Sequence, residues 1–214
     1  MKTEKGLFIS PLQITKIRAF PKSVSFVYLG SDSCEHLMPD AEEVKFVYDK
    51  KLNVIISVPI LTDFHLSRLS KLIEKILSFL PFIEISVNDI GTLECLKQRF
   101  GAKVHLSVGR YLFSIFIRNS LSFVQDISEE FNVHYFETDD FKTADSFLRT
   151  DEFRIAFHYP FRYYSITRIC PYKGNIVQEC DRECEGKIVP LDKGQLFWQG
   201  NYYFMPSSKL PKLA

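Results

Sequence analysis

The sequence has no surplus of charge of either sign. Lys and Arg number 27 and Asp and Glu number 26, which gives a formal net charge of +1. Because affinity for nucleic acids and anionic membranes depends on an excess of basic residues, this balance gives no reason to propose a nucleic-acid or anionic-membrane partner, and we expect no DNA partner. Glycine and proline are also scarce, at 9 and 10 residues, while 46% of the residues are apolar. These values exclude collagen-like and disordered chains and indicate a globular core.

Long apolar runs are missing as well. The longest uncharged stretch, residues 194–208, contains two glutamines, an asparagine and a proline. A membrane-spanning helix needs about 20 mostly apolar residues, and no apolar segment follows the charged N-terminus as it would in a secretory leader. We therefore expect a cytoplasmic protein without a membrane span. Because 214 residues suit one core, residues 1–214 are expected to form a single (β/α) barrel-like domain with a loose tail at 207–214.

The motifs of several common enzyme classes do not occur. The sequence has no G-x-G-x-x-G, P-loop, H-E-x-x-H or EF-hand pattern, which would indicate nucleotide, zinc-peptidase or calcium sites. It also lacks G-x-S-x-G, the context of a nucleophilic serine in many hydrolases. The sequence therefore offers no support for these classes.

What the sequence does contain is an alternation of strand-like and helix-like segments. Apolar, β-branched runs predict buried strands. They lie at residues 25–29, 53–58, 82–87, 103–108, 122–124, 133–136 and 154–157. Between Leu66 and Leu77 the apolar residues recur at spacings of three and four, which predicts an amphipathic helix with Asp63 as its N-cap. The order predicts an α/β fold, a minimal or incomplete (β/α) TIM-type barrel of mostly parallel strands.

Two further elements are predicted from local sequence. Residues 92–100 should form a short helix that ends at Gly101. Residues 191–204 should form a hairpin-like pair of strands that turns at Gly200 and Asn201.

Three of the five cysteines fall close together in a polar segment, residues 168–186. Cys170, Cys180 and Cys184 follow a Cys-x9-Cys-x3-Cys spacing among charged and amide side chains. Thiolates in such a setting favour zinc, copper(I) or an iron–sulfur cluster. A four-cysteine site needs one more ligand. Cys34 is the best candidate, because it follows the first clear strand and the loops after parallel strands gather at one end of the sheet.

The choice between zinc and a cluster stays open on spacing alone. Zinc sites commonly show two cysteine pairs with two to four residues between the members, and this sequence has one such pair, Cys180 and Cys184. The fifth cysteine, Cys95, lies in the predicted 92–100 helix beside two leucines, and we interpret it as a core residue. An odd cysteine count without a leader argues against a disulfide framework.

The cysteine set resembles the four-cysteine pattern of the collagenase-like peptidase family, and is most similar to its UbiV-like iron–sulfur branch. The matches extend, in family order, from about residue 25 to residue 204. They are Val27-Tyr28-Leu29-Gly30 followed by Cys34, Val87-Asn88-Asp89-Ile90-Gly91, Tyr164-Ser165-Ile166-Thr167-Arg168-Ile169-Cys170, Cys180-x3-Cys184, and Leu191-x3-Gln195-x4-Gly200-x-Tyr202.

This resemblance implies a function. It implies an incomplete (β/α) barrel in which Cys34, Cys170, Cys180 and Cys184 hold a [4Fe–4S] cluster. It further implies that the protein assists an oxygen-independent hydroxylation, as in ubiquinone biosynthesis, on a quinone precursor or similar ring-containing substrate, and that it pairs in a homo- or hetero-oligomer with a related subunit. The alternatives are a zinc-stabilised structural or partner-binding subunit without catalysis, and a peptidase as the family name suggests.

Four other polar residues are candidates for the site. His158, Asp89 and Arg110 each follow a predicted strand, where polar groups of barrel enzymes collect, so they are candidate catalytic residues. Each also has an ordinary structural interpretation: a hydrogen-bonded histidine, a helix N-cap and an exposed loop charge. Arg168, two residues before Cys170, is a candidate cofactor-binding residue that would donate to a cluster sulfur, or it is a solvated loop arginine.

Overall fold

The computed structural model describes residues 4–14, 16–148, 152–167, 169–174 and 180–207. The chain divides into two compact units, residues 1–106 and 107–214. Within the described ranges, no helix is both long and apolar enough to cross a membrane. Arg168 and most of the predicted tail, residues 208–214, lie outside the described residues.

Seven strands form a sheet whose order follows the chain. They are β1 (Gly6–Ile9), β2 (Phe26–Gly30), β3 (Asn53–Val58), β4 (Ile83–Val87), β5 (Val104–Val108), β6 (Tyr135–Thr138) and β7 (Arg154–Phe157). Neighbours pair in parallel, with Val27 opposite Val54 and Ile56 opposite Ile85 in the first unit. Sequential parallel order is the strand order of a (β/α) barrel. The prediction of an α/β fold with an incomplete barrel is therefore confirmed.

Seven α-helices accompany these strands in the described part of the chain. They are α1 (Pro11–Ile14), α2 (Ala41–Asp49), α3 (Asp63–Leu77), α4 (Ile90–Phe100), α5 (Arg110–Phe116), α6 (Leu121–Phe131) and α7 (Phe141–Leu148). Helix α3 buries Leu69, Ile73 and Ile76 on one stripe, as the three-and-four spacing predicts. Its N-cap, however, is Thr62, and the predicted cap Asp63 is the first residue of the helix.

One predicted strand is wrong. Residues 122–124 belong to α6, which begins after Ser120, whose hydroxyl accepts the backbone N–H of Phe123 at 3.2 Å. The buried residues Val124, Ile127 and Phe131 share one helical face. A three-residue apolar window could not distinguish a strand from one turn of this helix.

The first unit has an aliphatic core. Leu29 of β2, Ile56 of β3 and Ile85 of β4 are fully buried, as are Leu69 and Ile73 of α3. Full burial of each such side chain stabilises the fold by about 1.5–3 kcal/mol. The continuous apolar runs in the sequence therefore correspond to strands of a parallel sheet, as predicted.

The second unit has an aromatic core. The rings of Phe113 and Phe136 lie 5.0 Å apart, Phe113 and Phe147 5.1 Å apart, and Phe136 and Phe153 5.1 Å apart. All four side chains are buried. Edge-to-face and tilted pairs at such distances add about 0.5–1.5 kcal/mol each beyond the burial of their area.

A second sheet in the same unit has four antiparallel strands. These are β8 (Phe161–Ile166), β9 (Val189–Leu191), β10 (Leu196–Gln199) and β11 (Tyr202–Pro206), in the order β8-β11-β10-β9. Gln199 pairs with Tyr202 across the turn at Gly200 and Asn201, so the predicted hairpin is confirmed. The pairing of β8 with β11 joins segments about 40 residues apart, and the local sequence pattern did not predict it.

Candidate functional site

Charged side chains gather where β5, β6 and β7 of the second unit end. Arg110 begins α5 directly after β5, Asp139 follows β6, and His158 follows β7. Glu137 lies within β6 and is only 1% exposed. The carboxyl ends of parallel strands lie at one edge of the sheet, where (β/α) barrels carry their active sites. This cluster is therefore the candidate active site of the unit.

His158 and Glu137 form the first pair of this site. Nε2 of His158 lies 2.9 Å from Oε2 of Glu137, and the Ser107 hydroxyl donates to Oε1 of Glu137 at 3.4 Å. The side chains of Glu137 and His158 are 2% and 11% exposed. A carboxylate that accepts from one imidazole nitrogen fixes the orientation and proton position of the ring, as in histidines that act as general acids or bases.

Arg110 and Asp139 form the second pair. Nη1 of Arg110 lies 3.5 Å from Oδ2 of Asp139, and the backbone N–H of Tyr163 donates to the same oxygen. Burial raises the pKa of Asp139, whereas Arg110, the Tyr163 N–H, His158 and Arg162 oppose that rise. Because Arg110 and His158 both act on Asp139, the structure brings these two sequence-predicted residues into one site.

Aromatic rings border the Arg110–Asp139 pair. The Arg110 guanidinium lies 4.8 Å from the centre of the Phe204 ring. The ring of Tyr163 lies 5.6 Å from that of Tyr111 and 5.2 Å from that of Tyr202. Burial, with a smaller contribution from Tyr111, raises the pKa of Tyr163 to about 12, so its phenol keeps its proton at neutral pH. The site thus combines charged groups with an apolar wall.

Asp89, the third candidate catalytic residue, lies in the first unit and caps α4. Its Oδ1 accepts the backbone N–H of Thr92 at 2.7 Å, and its Oδ2 accepts the Thr92 hydroxyl at 2.6 Å and the N–H of Leu61 at 3.4 Å. These bonds satisfy the structural interpretation of Asp89. A catalytic role for this residue stays a prediction.

Sequence reasoning missed Glu137, Asp139 and Asp140. The run Glu137-Thr138-Asp139-Asp140 ends one strand and precedes a helix, as Asn88-Asp89 does, and could have been found on that pattern. The predicted strand at 133–136 begins and ends two residues before β6, which runs from Tyr135 to Thr138. Because the predicted strand ended at residue 136, Glu137 and Asp139 were not recognised as residues at the end of a strand.

One of the three late cysteines, Cys184, is affected electrostatically by the other two. Burial raises the pKa of the Cys184 thiol, and Cys170 and then Cys180 raise it further, as expected for thiols that lie near it. The backbone N–H of Arg182 donates to Sγ of Cys180 at 3.4 Å, and Nζ of Lys173 lies 3.0 Å from Oδ2 of Asp181. That these cysteines hold a metal together stays a prediction.

Cys34 lies in the first unit, after β2. It is buried, and its backbone N–H donates to the Ser31 hydroxyl at 3.2 Å. Gly30, at the end of β2, has φ of +121°, and a Cβ there would lie 2.7 Å from the carbonyl oxygen of Ser57. Only glycine fits that position, so Gly30 fixes where the Cys34 loop begins. Cys95, interpreted from sequence as core, is partly exposed in α4.

A second kind of ligand set also occurs in the first unit. Among the residues that the structure describes, one group of three or more His, Cys, Asp or Glu side chains has all its ligand atoms within 4.8 Å of one another: Glu35, His36 and His65. The sulfurs of Cys170, Cys180 and Cys184, which the structure describes, are therefore not all within 4.8 Å of one another. Burial lowers the pKa of His65, and His36 and Arg68 lower it further, although Glu35 acts to raise it.

No protein-family model, curated protein or solved structure matches the chain. The resemblance of its cysteine pattern to the collagenase-like peptidase family thus stays a prediction. What the fold and the described site define is an α/β protein with sequential parallel strands and charged side chains at the strand ends.

Proposed function

We propose that the protein is a cytoplasmic iron–sulfur protein in which Cys34, Cys170, Cys180 and Cys184 hold a [4Fe–4S] cluster. In the function that the family resemblance implies, it assists an oxygen-independent hydroxylation of a ring-containing compound such as a quinone precursor. The observation that carries the proposal is that Cys170 and Cys180 lie near enough to Cys184 to raise the pKa of its thiol.

The donor set fits such a group chemically. Burial, with smaller contributions from Cys170 and Cys180, raises the pKa of the Cys184 thiol, so its thiolate form is disfavoured without a bound cation. A bound cationic metal centre reverses this effect, since it deprotonates coordinating thiols outright. Cysteines placed only for packing would have apolar neighbours, whereas Cys180 and Cys184 flank Asp181, Arg182 and Glu183.

The cluster would supply one-electron redox chemistry. Residues of the second unit would bind the substrate and transfer protons. Arg110 offers positive charge, the Glu137-oriented imidazole of His158 offers a proton donor or acceptor, and the partly exposed Tyr163 offers a ring face against which a substrate ring can lie. These groups suit a flat, partly polar substrate. Association with a related subunit is part of the same proposal.

Metal and sulfide analysis of protein purified without oxygen tests the proposal. We expect about four iron and four acid-labile sulfide per chain, with the visible absorbance of an iron–sulfur cluster. Cys184→Ala and Cys34→Ala should lose most of the iron. Cys95→Ala is the matched control, because Cys95 is a cysteine of the same chain outside the proposed ligand set, and it should keep its iron.

The zinc alternative is favoured by one observation, the Cys180-x3-Cys184 spacing typical of zinc ligands. It predicts about one zinc per chain, no sulfide, and no colour. A protein with that metal content, whose melting temperature falls on chelation, would replace the redox function by a structural or partner-binding one. Protein that holds neither metal after anaerobic purification would contradict both.

A further inference from the structure

Three metal-ligating side chains converge in the first unit on residues that the cysteine pattern does not include. Glu35 and His36 lie in the short turn Glu35–Leu37 that follows β2, and His65 lies in the first turn of α3, which follows β3. Their ligand atoms all lie within 4.8 Å of one another. The segments that follow two neighbouring parallel strands thus bring two imidazoles and one carboxylate close together.

The closest approach has the spacing of two ligands around one ion. Nδ1 of His65 lies 3.1 Å from Oε2 of Glu35. Two donors bound to zinc at about 2.0–2.1 Å in tetrahedral geometry lie about 3.3 Å apart. The rings of His36 and His65 are 4.7 Å apart and nearly perpendicular, so the second imidazole lies next to the pair without stacking on it.

Thr62 holds the carboxylate in place. Its backbone N–H donates to Oε2 of Glu35 at 2.8 Å and its hydroxyl donates to the same oxygen at 2.9 Å. The hydroxyl oxygen also lies 3.0 Å from Nδ1 of His65. Hydrogen bonds from a neighbouring group to a ligating carboxylate are a regular feature of protein metal sites.

His65 is a buried residue whose ring has one defined orientation. The residue is 2% exposed, and its Nε2 atom has no hydrogen-bond partner among the described residues. Its side chain makes its polar contacts on the Nδ1 side, toward Glu35 and Thr62. The ring is therefore held with Nδ1 facing the cluster.

We propose that Glu35, His36 and His65 bind a divalent transition-metal ion of the zinc class through Oε2 of Glu35, Nδ1 of His65 and the imidazole of His36. Imidazole and carboxylate are donors for such ions, and three protein ligands leave a coordination position open for water or substrate. Glu35 and His36 are partly exposed whereas His65 is buried, so the ion enters from the side of the turn. This site is separate in chemistry from the thiolate site proposed above.

Cobalt(II) is the probe that distinguishes the two sites. It takes the place of zinc, and only thiolate ligands give it intense sulfur-to-metal charge-transfer absorbance. Titrated anaerobically into the full-length protein, cobalt at this site should bind at one equivalent with weak visible bands, which are distinct from any charge-transfer absorbance of cobalt at the cysteines. These weak bands should appear in protein with and without bound iron, so the result is independent of the iron content.

Substitutions of the proposed ligands provide the decisive comparison. His36→Asn and Glu35→Gln alter partly exposed residues, and each should weaken cobalt binding by more than about 100-fold, since losing even a group that orients a ligand weakens binding by 10–100-fold. His134→Asn is the matched control, because His134 is an exposed histidine of the second unit. Thr62→Val should weaken binding and Thr62→Ser should restore it.

Two results would overturn the proposal. One is cobalt binding that His36→Asn and Glu35→Gln do not weaken relative to His134→Asn. The other is cobalt binding that gives thiolate charge transfer alone and that Cys184→Ala removes, which would assign the metal to the cysteines.

Discussion

The two units of the chain bury different kinds of side chain and place different chemistry at their strand ends. In the first unit, aliphatic residues such as Leu29, Ile56 and Ile85 fill the core, and the strand ends carry Asp89 as a helix cap and the His65 cluster. In the second unit, phenylalanines fill the core, and the strand ends carry two buried acid–base pairs, Glu137–His158 and Asp139–Arg110.

The two kinds of core and strand end predict that the stability of each unit responds differently to substitution and to pH. In an aliphatic core, many side chains of similar size each contribute a part of the buried apolar area. Removing one methyl group therefore lowers the stability only modestly. An aromatic cluster concentrates burial in a few large rings, and buried charged pairs concentrate electrostatic free energy in a few atoms. The second unit should therefore respond more strongly to single substitutions and to pH.

The largest expected effect is that of Phe136→Ala. Phe136 is fully buried and contacts the rings of Phe113 and Phe153. Its removal should lower the free energy of unfolding by about 3–5 kcal/mol, whereas Ile85→Val in the first unit should lower it by about 0.5–1.5 kcal/mol. Urea denaturation followed by circular dichroism measures both. Equal losses in the free energy of unfolding for the two variants would contradict the expected difference between the two cores.

The second effect concerns the buried acid of the candidate site. Glu137→Gln keeps the shape of the side chain but replaces one of the two oxygens that accept from His158 and Ser107 by a donor. We expect a loss of about 1–3 kcal/mol in the free energy of unfolding, because a buried group is left without its partner.

Glu152→Gln is the control for this substitution. Glu152 is exposed and accepts from Gln125 Nε2 at 2.8 Å, and its replacement should change the stability by no more than about 0.5 kcal/mol. If Glu137→Gln is as mild as Glu152→Gln, the Glu137–His158 contact does not contribute to the fold, and its interpretation as an oriented acid–base pair would lose its support.

Much of the fold could be predicted because it follows from local periodicity. The strand at 53–58 and the helix around Leu69 and Ile73 each carry their pattern within one segment, and both are confirmed. The order of the parallel strands follows from the alternation alone. The pairing of β8 with β11 could not be predicted in this way, because no local pattern encodes a contact between distant segments.

The candidate site was predictable only in part, for a similar reason. Position after a strand identified His158 and Arg110. The partners that give them their properties, Glu137 and Asp139, come from another strand end, and His65 meets Glu35 from a helix 30 residues away. Tertiary contacts of this kind determine the burial and the pKa of each side chain in the site. Neither property can be predicted from the spacing of residues along the sequence.

The smallest expected effect is a difference in pH dependence between two adjacent acids. Burial raises the pKa of Asp139 against the opposition of Arg110, the Tyr163 N–H, His158 and Arg162. Burial also acts to raise that of Asp140, but the N–H and hydroxyl of Thr143, with Arg162 and Lys142, outweigh it and lower the pKa. The two residues should therefore affect stability with opposite slopes.

The sign follows from proton linkage. With its folded-state pKa above the ordinary 3.8, Asp139 contributes stability that is present below pH 3.8 and is lost as the pH rises through the raised value. Asp140, with a lowered pKa, contributes stability that is present above pH 3.8 and is lost as the pH falls through the lowered value. Unfolding free energies of Asp139→Asn and Asp140→Asn, each measured against the unsubstituted protein from acid to neutral pH, should show these opposite trends. Parallel trends for the two variants would mean that the second unit does not bury Asp139 more deeply than its neighbour, and the contrast between the strand ends of the two units would then rest on the Glu137–His158 pair alone.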